Sequence, residues 1–378
     1  MKNNPLRQLG TLGQSIWLDY IRKDLITGGA LRDLIQKDGL RGMTSNPSIF
    51  EKAIADSHDY DGDIQAMALS GKDTQTIYET LSQHDVKGAA DEFRPLYDEA
   101  DGNDGYVSLE VNPHLANDTQ GTILEARRLW AALNRPNILI KVPATTAGLP
   151  AIRQLISEGI NVNVTLLFGL PRYRQVAEAY IAGLEERTSQ GKSVKTMASV
   201  ASFFVSRIDV QVDPLLEPII AQGGKKADVA KKALGQVAIA SAKTAYQIYK
   251  DIFGGERFKK LVAKGAHAQR LLWASTGTKN PLYSDVKYIE ALIGPNTVNT
   301  IPMGTLNAYR DHGDPKARLE QNIEEDRRVL ERLPELGIDI DVETRQLEDD
   351  GVVKFVKPFD KLMETLAQRS SQSLAGKS

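Results

Sequence analysis

Apolar residues in this chain gather in short runs rich in β-branched and aromatic side chains, and the stretches between those runs carry apolar residues at helical spacing. Eight runs stand out: Ser15–Tyr20, Leu40–Thr44, Tyr106–Val111, Asn137–Val142, Asn161–Leu167, Met197–Val205, Arg270–Ser275 and Thr297–Ile301. They predict parallel strands buried on both faces. The intervening stretches, such as Thr119–Leu133, Leu170–Glu186, Ala227–Phe253 and Ser284–Ile293, predict crossover helices. Eight such units predict an α/β fold, a closed (β/α)8 TIM barrel with additional helices; a doubly wound open sheet is the second architecture the pattern allows.

Two segments exceed what a minimal barrel of about 250 residues needs. The first, about residues 51–99, reads as two or three helices, with Asp73 as an N-cap ahead of Ile77 and Leu81. The second starts at Asp314-Pro315. There Leu319, Ile323, Leu330 and Leu333 repeat at helical spacing, and the pattern continues through Val352, Phe355, Val356, Phe359, Leu362 and Leu366. It predicts a helical appendage over about residues 314–370 of a single barrel domain, 1–378, with Glu324–Arg328 on its solvated face. The Ser/Gly-rich end, Ser370–Ser378, is expected to fray.

Within this pattern Lys141 is out of place, because Asn137-Ile-Leu-Ile-Lys-Val-Pro143 otherwise reads as a fully buried strand. Alternation turns Ile138, Ile140 and Val142 toward the helices and Leu139 and Lys141 into the barrel. Desolvation there disfavours the ammonium, lowering the lysine pKa and leaving an amine able to attack a ketone. A structural lysine paired with a carboxylate is the other reading of that residue alone. The neighbouring strands repeat the theme, with inward polar residues near their C-terminal ends, where barrels of this kind build their sites. Strand one offers Trp17 and Asp19, strand three Ser108 and Glu110, strand five Asn163 and Thr165. Strand two ends in Thr44-Ser45-Asn46-Pro47, strand six carries Ser199 and Ser202, and strand seven ends in Ser275-Thr276.

A lysine, two carboxylates and several hydroxyl and amide groups at one mouth suit imine chemistry. The protonated imine is an electron sink that makes a carbon–carbon bond breakable, and Asp19 or Glu110 can move the protons. Arg207, just past strand six, offers a bidentate fork to phosphate, unless it is spent on Asp209 or another acid.

Composition narrows the alternatives. The 378 residues carry 47 Lys and Arg against 49 Asp and Glu, a net charge of −2 that gives no basic field for nucleic acid or an anionic membrane. Zero cysteines exclude disulfides and thiol catalysis. The five histidines, His58, His84, His114, His267 and His312, form no ligand-like cluster, so no metal is expected. No Gly-rich loop opens a helix after a strand, so no nucleotide cofactor is expected either. Without an apolar leader or spanning segment, the expected location is cytoplasmic.

Five motifs carry a resemblance: Thr44-Ser-Asn-Pro-Ser48, Val107-Ser-Leu-Glu-Val111, Ile138-Leu-Ile-Lys-Val-Pro143, Asn161-Val-Asn-Val-Thr-Leu-Leu-Phe168 and Ala201-Ser-Phe-Phe-Val-Ser-Arg-Ile208. In order and spacing the chain resembles the transaldolase family from about Ser15 to Met303. The Trp273-Ala-Ser-Thr-Gly-Thr-Lys-Asn-Pro281 segment and the length resemble its longer bacterial branch. The resemblance implies a cofactor-free, metal-free barrel of the non-oxidative pentose phosphate pathway. Such an enzyme moves a dihydroxyacetone unit from sedoheptulose 7-phosphate to glyceraldehyde 3-phosphate, giving erythrose 4-phosphate and fructose 6-phosphate.

By the same resemblance Lys141 forms the Schiff base, Asp19 is the acid/base at the scissile hydroxyl, and Glu110 with Thr165 holds a catalytic water. Asn46, Asn163, Ser202 and Ser275 face the sugar, Phe204 shapes the pocket and Arg207 binds phosphate. Shorter members carry an arginine two residues after the strand-seven serine; here that position is Gly277, and Lys279 is the nearest basic substitute. Two rivals remain, an aldolase that releases dihydroxyacetone and a non-catalytic sugar-phosphate-binding barrel, which has no use for Lys141. Sugar phosphates are the expected partners of a monomer or homodimer.

Overall fold

The computed structural model describes residues 4–375, and its eight strands, all parallel, close into a barrel in sequence order. They are β1 (Gln14–Asp19), β2 (Gly42–Thr44), β3 (Tyr106–Glu110), β4 (Ile138–Pro143), β5 (Val162–Leu167), β6 (Ser199–Phe204), β7 (Arg270–Ala274) and β8 (Thr297–Ile301). Every predicted strand is present, and the open sheet is not. At the start of β6 a side chain takes over backbone bonding. Residues 197 and 198 leave β6 because the Ala198 N–H donates to Asn161 Oδ1 at 2.9 Å.

The core explains the register. Ile138, Ile140 and Val142 of β4 are wholly buried against the helices, each burial stabilising by about 1.5–3 kcal/mol. Inside, the Trp17 ring lies where a Cβ on Gly42 would be, 2.5 Å from its ring carbon, so only glycine fits opposite that indole. At the N-terminal ends of the strands a buried Asp104 forms the barrel floor. It accepts from Ser15 Oγ at 2.5 Å, Trp17 Nε1 at 3.1 Å and Arg41 Nε at 2.8 Å, and pairs with Arg270 at 3.2 Å. The polar floor and the opposite mouth are thus built from different groups.

The outer layer departs from expectation in two places and meets it in a third. The predicted Ala227–Phe253 helix is two helices, Gly224–Ala233 and Val237–Phe253. Between them Gly235 takes φ +65°, and its N–H donates to the buried Asp213 carboxylate at 2.8 Å. Ser284–Ile293 shrinks to a helix over Lys287–Ala291. The segment 51–99 folds as the end of Pro47–Ala55, then Asp61–Leu69 and Thr74–Glu99. Asp73 caps the last of these by accepting from the Thr76 N–H at 2.8 Å, as expected. That long helix packs on β3 as its crossover.

After β8 the appendage comprises helices Ile323–Arg332 and Ile340–Ala375, the second 36 residues and about 54 Å long. Residues 370–375 continue this helix and do not fray; residues 376–378 lie outside the described residues. Arg369 fastens it by donating to the carbonyls of Ala55 and Ser57 and to Asp61. Among the described residues no helix is long and apolar enough to cross a membrane.

Candidate active site

Strand pairing brings the predicted residues to one level of the barrel. Glu110 of β3 stands opposite Lys141 of β4, which stands opposite Asn163 of β5. Lys141 is buried; its Nζ donates to the Ser45 carbonyl at 3.0 Å and lies 3.3 Å from Glu110 Oε2. Burial pushes the Glu110 carboxyl up to about 7, with Lys141 pulling the other way and Asp19 adding to the rise. Both carboxylate oxygens of Glu110 are buried without a hydrogen-bond partner, as is the hydroxyl of Thr165, two residues beyond Asn163 on the same face of β5.

Asp19 ends β1 on the other side. Its Oδ1 accepts from Thr44 Oγ1 at 2.7 Å, and Thr44 Oγ1 in turn shares a 2.7 Å contact with Thr300 Oγ1. Burial raises the Asp19 carboxyl above the ordinary range, although Lys141, the Thr44 hydrogen bond, Lys279 and Arg207 all oppose the rise. Two carboxyls tuned upward beside an amine fit proton transfer near neutral pH.

The remaining candidates divide. Asn163 bonds within the barrel: its Nδ2 donates to Ser108 Oγ at 3.0 Å and its Oδ1 accepts from Ser202 Oγ at 2.6 Å. These three side chains position the Lys141 level from neighbouring strands. Asn46 spends its Oδ1 capping the helix Pro47–Ala55, accepting from Ile49 N–H at 3.0 Å, which leaves its amide NH2 for a ligand. Ser199 does not join them. It lies three residues from Ser202, hence on the opposite face, and its hydroxyl donates to the Val162 carbonyl.

On the far wall the Arg207 guanidinium lies over Phe204 at 5.4 Å, and Phe204 packs on Phe168 at 5.1 Å. Arg207 forms no ion pair among the described residues, and its Nη1 is buried without a partner. Burial lowers its pKa, with Asp19 opposing. The alternative partner, Asp209, is otherwise occupied, accepting from Ala238 N–H at 2.7 Å and Tyr288 OH at 2.8 Å. Ser275 holds φ +55° at the end of β7, its Oγ 3.1 Å from Ser206 Oγ. That is an uncommon conformation for serine. Lys279, exposed on the same loop, still contributes charge at Asp19.

Sequence reasoning did not see Thr300, nor the partner that arrives from the C-terminal helix. The Phe355 ring centroid lies 5.8 Å from Lys141 Nζ. Its apolar periodicity placed it on a buried helical face, and nothing in the pattern names what that face covers.

The chain matches the model of the transaldolase/fructose-6-phosphate aldolase family over residues 16–366. It belongs to that family. A transaldolase of Trichodesmium erythraeum is 50% identical over 373 residues, 98% of each chain. The protein named transaldolase 2 in a Nostoc species is 48% identical over 97% of each, and a transaldolase of Saccharopolyspora erythraea 44% over 98% of this chain and 99% of its own. The full-length coverage extends the family likeness across the helix that carries Phe355.

Proposed function

We propose that the chain is a transaldolase whose Lys141 binds the ketose as a Schiff base and passes a dihydroxyacetone unit from sedoheptulose 7-phosphate to glyceraldehyde 3-phosphate. One observation carries the reading: an amine buried inside a barrel strand, 3.3 Å from a carboxyl whose pKa sits at about 7. A purely structural ion pair has no need of a titrating partner, whereas imine formation needs one that both gives and takes a proton.

Lys141 Nζ attacks the ketone carbon, and the carbinolamine loses water, with Glu110 supplying and recovering the proton through a water held beside the Thr165 hydroxyl. Asp19 then takes the proton of the C4 hydroxyl. The C3–C4 bond breaks, its electron pair moves toward the protonated imine, and the aldose leaves. The resulting enamine attacks the incoming aldehyde, Asp19 returns its proton, and hydrolysis frees the new ketose. Asn46, Ser202 and Ser275 line the path of the sugar hydroxyls, and Phe204 is the wall on which Arg207 rests.

The direct test is to mix the protein with fructose 6-phosphate and erythrose 4-phosphate and follow sedoheptulose 7-phosphate, then to reduce the mixture with borohydride and locate the adduct. A dihydroxyacetone-sized adduct on Lys141 is the expected result; turnover with no adduct on any lysine would sink the mechanism.

For phosphate, Arg207, unpaired among the described residues, is the principal ligand and Lys279 the second, since Gly277 carries no side chain. Arg207→Ala should lower kcat/KM for phosphorylated substrates by about 10- to 100-fold, the loss of a charge-assisted hydrogen bond. Lys279→Ala, with its exposed stem, should cost about tenfold at most. Both changes should matter less for unphosphorylated ketoses, where only their field at Asp19 is lost, so the ratio of the two substrate classes is the measurement.

Glu110 also has a stability signature. Its carboxyl binds a proton more tightly folded than unfolded, since the folded value is about 7 against 4.5. Stability therefore falls as pH rises between those values, by about 3 kcal/mol at most. Urea midpoints measured from pH 4.5 to 7.5 should show this loss in the native protein and a smaller one in Glu110→Gln, where Asp19 and other buried carboxyls still titrate upward of their free values.

A further inference from the structure

The helix Ile340–Ala375 lies across the mouth, and its fastenings trace the crossing. Thr344 meets Gly169 just after β5, where a Cβ would stand 3.0 Å from its hydroxyl. Further along, Gly351 lets the helix touch the end of β5, a Cβ there falling 3.0 Å from Leu166. Glycine inside a helix costs about 1 kcal/mol, so the close approach has a structural use. Beyond the centre Phe359 packs edge-on to Tyr78 at 5.4 Å, and Arg369 grips the far side. The helix is held in register by Arg172, which donates to both oxygens of the buried Glu348 at 3.0 and 3.2 Å, and by Gln211 donating to Glu343 at 2.8 Å.

At mid-span Phe355, only 7% exposed, points its ring toward Lys141 at 5.8 Å. The ketone carbon of a bound substrate is one bond beyond Nζ, so the ring is within contact reach of the three-carbon unit. We infer that Phe355 decides whether that unit is transferred or released, by keeping water from the enamine once the first aldose has left.

This rests on the Lys141 imine reading. The enamine has two fates. Attack on an aldehyde makes the new carbon–carbon bond. Alternatively water gives a proton to C3, regenerating the protonated imine and leaving hydroxide; the hydroxide adds to C2, the carbinolamine hydroxyl proton passes to Lys141 Nζ as the C–N bond breaks with its electron pair going to that nitrogen, and free dihydroxyacetone departs. Only the second fate needs water at C3 before the acceptor arrives, and an apolar ring on that side withholds it while presenting its face to the protonated imine.

The test compares native protein with Phe355→Ala, Phe355→Leu and, as a control on the solvent side of the same helix, Val353→Ala, whose native side chain is 49% exposed. Each is given fructose 6-phosphate and erythrose 4-phosphate. Free dihydroxyacetone, transferred unit and borohydride-trapped Lys141 are measured together, with circular dichroism to establish folding. The expected result is a release-to-transfer ratio raised about tenfold in Phe355→Ala and less in Phe355→Leu, with trapping retained and Val353→Ala unchanged. An unchanged ratio in folded variants that still trap overturns the inference, as does loss of trapping in a folded variant. If Phe355→Ala fails to fold, the ratio in Phe355→Leu decides the question alone. Absence of trapping in the native protein is a different failure, that of the imine reading itself.

Discussion

Lys141→Met should reduce transfer by about 10⁴-fold or more, abolish the borohydride adduct and leave the barrel folded. The size follows from the chemistry: without the amine no covalent electron sink exists, and the remaining groups can only bind and orient the sugar. The intact fold follows from the surroundings. Methionine keeps an unbranched apolar stem in the buried slot. The amine's two contacts were the Ser45 carbonyl and Glu110, and removal of the positive charge sends the burial-raised Glu110 carboxyl further up, so that it becomes neutral. No uncompensated buried charge is left, and the stability change should stay within about 2 kcal/mol. Coupled turnover, peptide mapping after reduction and a urea midpoint measure the three parts. Substantial residual transfer in Lys141→Met would remove the lysine from the mechanism.

Asp19→Asn should behave differently, with turnover down by about 10²- to 10⁴-fold while the adduct on Lys141 is still trapped from fructose 6-phosphate. The amide keeps the shape and the hydrogen bond from Thr44, but it cannot take the proton of the scissile hydroxyl. The imine then forms and waits with its carbon–carbon bond intact, so the trapped mass should shift from that of a three-carbon unit toward that of the whole ketose. Glu110→Gln should instead slow the appearance of any adduct. Equal effects of the two variants on trapping would show that the carboxyls do not divide the work in this way.

Much of this geometry was legible because a strand's period of two is rigid. Once Lys141 is set inward, Leu139 follows, and the same count on the neighbouring strands turns Asp19, Glu110, Asn163 and Thr165 inward. The count also excludes Ser199, which a grouping by residue type had set beside Ser202. What the pattern does not carry is commitment. Nothing in it says that Asn163 bonds Ser108 and Ser202, or that Asp209 is taken by Tyr288 and the Ala238 N–H, leaving Arg207 without an ion pair among the described residues. Those facts depend on side chains far apart in sequence meeting at a few ångströms. Helices were harder for a related reason. Gly235 breaks a periodic stretch through a buried carboxylate 22 residues earlier, and Phe355 gains its role only because its helix lies over a mouth built by residues 19–275.

The placement of that last helix ties catalysis to synthesis. The barrel closes with β8 at Ile301, whereas the ring facing Lys141 comes from residue 355 and the grip of Arg369 later still. The strands that carry Lys141 and its neighbours are thus all synthesised before the ring that lies over them, and a chain cut short after β8 would lack both Phe355 and the Arg369 fastening.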